Sequence, residues 1–517
     1  MSAPEAITPA SNESRRSGVA ATARGGWWGA AGSIINAVSA FLFVGLVTRS
    51  VGARGAGSIF AGVALFTILS NACKLGADTG LVRFVSRDIA LNGGRSVRAL
   101  VRTAVVPTAV TSTAIGASLL LFPEVATHLL PQLSAREAVA LIRVFAIVLP
   151  AATVSLILLG VSQGYGTVVP FVGVEQVGKP VLRILIAVPL AYMAPGMFAL
   201  ATAWLLPALV GPMAAWFALQ RCRARHLAKP SLALHASLDS GVPWRTFWAY
   251  AAPRAVSSIF DISAVWVGVL LLSALASATD AGIYTAIGRV VTAGALVQLA
   301  VALAVGPQVS RMLALDEIAE ARHLHRVSTC WVVLFSGPLF ALLAIFPRSV
   351  LSIFGADFTS GAPALVMLCL ASMFNVAVGN AQSVLLMAGK SSWHLAITAA
   401  AFSVQFFLGI IVVPTWGIFG AALSWGAAIV LENLCAAFAI LRSLGFTIVN
   451  RSYARAGSIC LAVSVVMGGV HILAGDTPTG LAIGLMVGMA TFVPLVWRYR
   501  APLAVNVLLG VLRRRTT

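Results

Sequence analysis

Along this chain, long apolar runs alternate with short segments that hold nearly all of the charge. A run of about 18 residues or more, wound as a helix at about 1.5 Å per residue, is long enough to cross a hydrocarbon core of ~30 Å. The pattern predicts fourteen such spans: 27–48, 57–75, 99–121, 139–161, 177–194, 197–219, 250–273, 282–305, 328–346, 362–387, 393–413, 416–440, 457–474 and 479–497. "APG" at 194–196 marks a tight turn between spans 5 and 6, and Pro414 and Gly417 mark the turn between spans 11 and 12. The expectation is an all-α polytopic membrane protein. Composition agrees, because a soluble chain of 517 residues, 59% hydrophobic and 10% charged, could not bury so much apolar surface.

The net charge of +19 would suggest a nucleic-acid partner only if the basic residues were not sorted by topology. With the N-terminus inside, 29 of the 35 Lys and Arg residues fall in inner segments and adjacent span ends, as in "RFVSRDIALNGGRSVR" and "RCRARHLAK". Four fall outside (Arg49, Arg54, Arg136, Arg348), and Arg143 and Arg289 lie within spans. That asymmetry predicts cytoplasmic termini and no nucleic-acid role. The first 24 residues are polar and are expected to be a disordered cytoplasmic tail. The run after them is longer than a signal-peptide core, so it is read as an uncleaved first span. Six scattered cysteines without a C-x-x-C pair suggest neither a metal site nor a disulfide framework. The outer loops are too short for a large external catalytic domain. "GKS" at 389–391 lacks the first glycine of a phosphate loop, where Val384 stands instead. No enzyme activity and no cofactor are expected.

Two short stretches repeat. "RGAGSIFAG" (54–62) and "TDAGIYTAIG" (279–288) each follow an apolar span and an external turn, and each opens another span. Gly57 and Gly282 hold matching places, one between spans 1 and 2 and the other between spans 7 and 8. This divides the chain into an N-terminal lobe (25–220, spans 1–6), a basic linker (221–247) and a C-terminal lobe (248–441, spans 7–12). A helix pair (442–498, spans 13 and 14) and a basic tail (499–517) follow. Internal repeats of this kind are typical of secondary transporters.

The stretch "LVTRSVGARGAGSIFAGVALFTILSNACKLGADTGLVRFVS" resembles the opening of bacterial polysaccharide flippases. "APRAVSSIFDISAVWVGVLL" followed by "DAGIYTA" resembles the opening of that family's second half, with Pro253, Asp261, Gly282 and Tyr284 on matching positions. The chain is similar in layout to the multidrug/oligosaccharidyl-lipid/polysaccharide exporter superfamily. The resemblance implies two pseudosymmetric six-helix lobes that rock about a central site without ATP, driven by an ion gradient or the membrane potential. It implies a multi-pass protein of a bacterial plasma membrane that moves a polyprenyl-diphosphate-linked sugar to the outer leaflet. A polysaccharide polymerase or glycosyltransferases would be its partners. Unlike lipid II flippases, this chain has no Arg inside span 1. A multidrug exporter, a lipid II flippase and a non-transporting scaffold for polysaccharide assembly remain the alternatives.

An anionic headgroup crossing a bilayer needs compensating positive charge. Arg289, about 10 Å below the outer end of its predicted span, could hold phosphate oxygens through its planar fork. Asp261, on the neighbouring span, could pair with it, either to lock the helices or to be displaced by substrate. Glu432 within span 12 could carry a coupling proton, as could Asp261, or bond between helices. Lys74, Asp78, Arg83 and Arg87 at the inner end of span 2 form either an inner vestibule for phosphates or a contact with anionic lipid. Asn36, Ser39 and Gln298 could hydrogen-bond sugar hydroxyls or neighbouring helices.

Overall fold

Apolar segments shielded from water must satisfy their own backbone N–H and C=O groups, and helices do this within one segment. The computed structural model describes residues 9–124, 134–193, 196–227, 243–314, 316–388, 390–446, 450–501 and 503. Among the described residues every regular element is helical. Helix α1 (Pro9–Cys73) breaks at Gly52, whose φ of 68° is in the left-handed region that glycine tolerates. Asn36 before the break and Asn71 after it face one cavity, so the two limbs run antiparallel as spans 1 and 2. Then come α2 (Ala77–Asn92), α3 (Val97–Leu121), α4 (Ala135–Gly164), α5 (Lys179–Met193) and α6 (Met197–Leu227).

The second half contains α7 (Trp244–Leu275), α8 (Ala278–Gly294), α9 (Leu296–Ala314), α10 (Ile318–Ile345), α11 (Ala362–Val378) and α12 (Ala381–Met387). Helix α13 (Ser391–Leu444) breaks at Gly417, and Gly409 then packs on Ser424 while Gly420 packs on Val412. It therefore supplies spans 11 and 12. α14 (Arg451–Ala474) and α15 (Pro478–Arg498) finish the series and pack on α10. Among the described residues ten helices are long and apolar enough to cross a membrane, and the bent pair α8–α9 makes an eleventh. Because α1 and α13 each fold back, and α5 is extended upstream by π-helix, the fourteen-span layout is accommodated.

The two lobes come into close backbone contact through glycine. A methyl group on Gly57 would fall on the Ala278 carbonyl and within 2.8 Å of the Gly282 nitrogen. One on Gly282 would fall on the Ala53 carbonyl and within 2.9 Å of the Gly57 nitrogen. The two glycines matched by the sequence repeat thus pack against each other at the end of the lobe interface that the charge pattern expects outside, called the outer end below. Arg49 fastens the same end by donating from Nε (3.2 Å) and Nη2 (3.0 Å) to the Ile353 carbonyl, while Phe41 meets Phe354 edge-on at 5.1 Å. At the inner end Gly76 lies on the Ala251 backbone, and Phe84 packs on Phe247 at 5.7 Å. Between these two closures lies open space.

Several sequence expectations change here. Residues 9–24 belong to α1 instead of a disordered tail, since residues such as Ala, Arg, Glu and Ser do not oppose a helix once it is seeded from span 1. Residues 1–8, most of the basic linker (228–242), residues 194–195 of the "APG" turn, Gly389 and nearly all of the C-terminal tail lie outside the described residues. Span 10 is interrupted at Gly379–Asn380, where Gly379 has φ 76°, and span 8 bends by 46° at Ala295. On α15 the glycines at four-residue spacing are buried, with Gly484 on Phe346 and Gly488 on Met467. Near the start of span 1, Gly29 meets open space while Gly32 packs on Val172 and Gln176.

Overpacking a tight helix contact costs about 1–3 kcal/mol. Gly282→Ala is therefore expected to spread the outer closure and to increase labelling of an Ala53→Cys reporter by a membrane-impermeant maleimide. Gly45→Ala, whose methyl meets open space, should leave labelling unchanged.

Candidate functional site

The space between the two closures is a cavity of about 460 Å³. Along the second limb of α1 its lining runs from Phe60 to Lys74, a depth of about 20 Å at the rise of an α-helix. Neutral polar groups line one wall: Asn36, Ser39, Thr67, Ser70 and Asn71, all on α1. Six charged side chains share the rest, namely Lys74, Asp78, Glu175, Lys179, Arg183 and Arg289.

Four of the six are paired. Lys74 Nζ donates to Asp78 Oδ2 at 2.9 Å near the inner end. Lys179 Nζ donates to Glu175 Oε1, and Ser155 bridges the pair, donating to Glu175 at 3.2 Å and accepting from Lys179 at 3.3 Å. Both side chains are largely buried, so their hydrogen-bond partners have to come from within the protein. Gly211 makes room for the ammonium, because a methyl there would come within 2.7 Å of Lys179 Cε.

The local chain explains how Glu175 and Lys179 meet. Pro180 has no N–H to give the helical ladder, and upstream of it residues Val172–Gly178 wind as a π-helix. The Lys179 N–H reaches back to the Val174 carbonyl. Gln176 braces this segment against span 1 by donating to Ser33 Oγ at 3.3 Å.

The two guanidiniums are held differently. Arg183 donates from Nε to the Trp204 carbonyl at 3.1 Å and lies over the Trp204 ring at 4.2 Å. Arg289 lies 5.2 Å from the centroid of Trp266, on the neighbouring α7. Among the described residues neither has a carboxylate within ion-pair distance. Each therefore rests its apolar face on an indole and keeps donors free for the cavity.

Of the residues singled out in the sequence, Arg289 and Asn36 line this cavity, and Lys74 and Asp78 sit at its inner end. Helix α8 starts at Ala278, so Arg289 lies about 16 Å along it, deeper than the predicted span implied. The expected Asp261–Arg289 pair is not formed. Trp266, which faces Arg289, is five residues beyond Asp261, and five residues carry the side chain about 140° past a full turn. Asp261 instead lines a separate cavity of about 190 Å³ with Gln405 and Glu432. Arg83 lies outside the central cavity and reaches across the lobes to stack on Tyr250 at 4.4 Å. Arg87 is exposed on α2. Gln298 belongs to a third cavity, in the C-terminal lobe, whose wall also includes Glu432.

Sequence reasoning missed Glu175, Lys179 and Arg183, treating the last two as inner-side topology charges. The signal was there, since positions 175, 179 and 183 are four apart within a run that is otherwise largely apolar.

No protein-family model matches the sequence, and no curated protein sequence matches it. Solved structures do. One is the lipid II flippase MurJ in an inward closed conformation, at 13% identity and TM-score 0.72, covering 91% of this chain and 98% of that one. A second is a MATE multidrug resistance transporter of the MOP superfamily in an inward-facing conformation, at 14% identity and TM-score 0.64, covering 80% of this chain and 96% of that one. A third is a MOP superfamily transporter from Pyrococcus furiosus, described by the reversed polarity of its binding pocket, at 16% identity and TM-score 0.56, covering 83% and 96%. The chain has the fold shared by these exporters.

Removing one partner of a buried pair costs roughly 3–5 kcal/mol, because the other charge is left uncompensated. Lys179→Met should accordingly lower thermal stability in lipid nanodiscs. Adding Glu175→Gln to it should recover most of the loss, measured by the melting temperature of the full chain.

Proposed function

We propose that this chain is a flippase that carries a polyprenyl-diphosphate-linked oligosaccharide, or a related cell-envelope glycolipid precursor, from the inner to the outer leaflet of a bacterial plasma membrane. The reading rests on one observation above all: Arg183 and Arg289, from opposite lobes, open into one cavity at membrane depth without a carboxylate partner. Four lining cations against two acids leave two positive charges. A diphosphate bridging lipid and sugar carries two negative ones. Guanidinium forks suit phosphate oxygens in geometry as well as charge. A cationic drug would meet the wrong sign here, which disfavours multidrug export.

Alternating access gives the sequence of events. The lobes part at the inner contacts of Gly76 and Phe84, the headgroup enters beside Lys74, and the two arginines take the diphosphate while the tail stays in lipid. Closure inside and parting at Gly57–Gly282 and Arg49 then release the headgroup outward. Arg83, stacked on Tyr250, helps to hold the inner side shut. No enzymatic step or cofactor is required, and an ion gradient or the membrane potential supplies the drive, with Asp261 and Glu432 as coupling groups. The likeness to MurJ supports a second reading, transport of lipid II, against which stands the absence of an arginine inside span 1.

Truncating a charged group that holds a partner charge typically costs about 2 kcal/mol or more, roughly 30-fold in affinity. In a strain lacking the gene, lipid-linked oligosaccharide should accumulate out of reach of a membrane-impermeant sugar-oxidising label on intact cells. Wild type should restore labelling, whereas Arg183→Ala and Arg289→Ala at equal protein level should not. Restoration by both variants would instead favour a scaffold that transports nothing.

A further inference from the structure

The cavity in the C-terminal lobe differs in chemistry from the one between the lobes. It measures about 380 Å³, within the range of small-molecule sites, and it forms where two spans are broken. Its wall includes Ala295, at the 46° bend between α8 and α9, and Gly379 and Asn380, which separate α11 from α12. Interrupted helix at membrane depth is tolerated where it is buried in protein or faces polar space, and transporters build binding sites from such helices.

Carboxamides dominate its side chains. Gln298 and Asn375 exchange hydrogen bonds across it, Asn375 Nδ2 to Gln298 Oε1 at 3.1 Å and Gln298 Nε2 to Asn375 Oδ1 at 3.4 Å. A primary amide has two donor hydrogens and two acceptor lone pairs, so each keeps a donor and an acceptor site free. Asn380 is only 8% exposed, and its Nδ2 has no partner. Asn433 spends one N–H on the Ile429 carbonyl at 2.8 Å and keeps its oxygen. Among the described residues no cation lines this cavity, and the one acid, Glu432, stands on the wall shared with the Asp261 cavity.

Balanced carboxamide donors and acceptors, with one acid to the side, suit a ligand whose groups both give and accept hydrogen bonds. Hydroxyls do this, and charged or apolar groups do not. We infer that this cavity binds the sugar portion of the cargo, a neutral polyhydroxylated group. The inference rests on the flippase reading and extends it. The cargo is read in two places, its diphosphate by guanidiniums between the lobes and its glycan by carboxamides in the C-terminal lobe. Arg289 and Gln298 belong to the same bent span, nine residues or about 13 Å apart along the chain, within reach of a short glycan.

The test uses the full chain in lipid nanodiscs and two probes. One is the pool of polyprenyl-diphosphate-linked glycans extracted from the host membrane. The other is bare polyprenyl diphosphate of the same chain length. Wild type should bind the glycan-bearing pool about tenfold or more tightly, a difference of about 1.4 kcal/mol. Gln298→Leu with Asn375→Leu removes both members of the amide pair and leaves neither orphaned. That variant should bind the two probes alike, with affinity for the bare lipid unchanged. If it does not fold, Asn433→Leu offers the same comparison. A wild type that binds both probes equally, or a folded variant that still prefers the glycan, overturns the inference and leaves a cavity filled by water. If neither probe binds wild type, the flippase reading falls and this inference falls with it.

Discussion

Inside a helix bundle shielded from water, a charge must find an opposite charge, a set of hydrogen bonds, an aromatic face or a polar cavity, and that requirement organises this protein's interior. Lys179 and Glu175 satisfy each other through Ser155. Lys74 and Asp78 do so one turn apart. Arg183 and Arg289 rest on tryptophans and keep their donors toward open space. The same requirement explains why these groups share one cavity, because the space between the lobes gives each of them a polar surface to face.

Close backbone contact is the second organising feature. At Gly57–Gly282 outside and Gly76–Ala251 inside, the lobes meet without intervening side chains. Contacts of this kind separate without the repacking of an interdigitated core. They therefore suit the alternate opening proposed for this interface. Arg49 and Arg83 add polar and cation–π fasteners at opposite ends of the same interface.

The lobes divide the chemistry unequally. Five of the six charged groups at the central cavity come from the first half, and Arg289 alone comes from the second. The second half instead holds amides and the carboxylates Asp261 and Glu432 in cavities of its own.

Much of this was legible in the residues themselves. Apolar length and the one-sided distribution of Lys and Arg determine the spans and the direction in which each is expected to cross. The repeated A-G stretch identifies Gly57 and Gly282 as equivalent, and Arg289 stands out because no neighbour in sequence explains its charge. Tertiary structure alone decided that Asp261 turns away from Arg289, that Arg183 joins it from the other lobe, and that spans 8 and 10 break beside each other. Helical periodicity tells which residues share a face of one helix. The azimuth and depth at which that face meets another helix depend on packing among all the spans, and no local stretch of sequence encodes them.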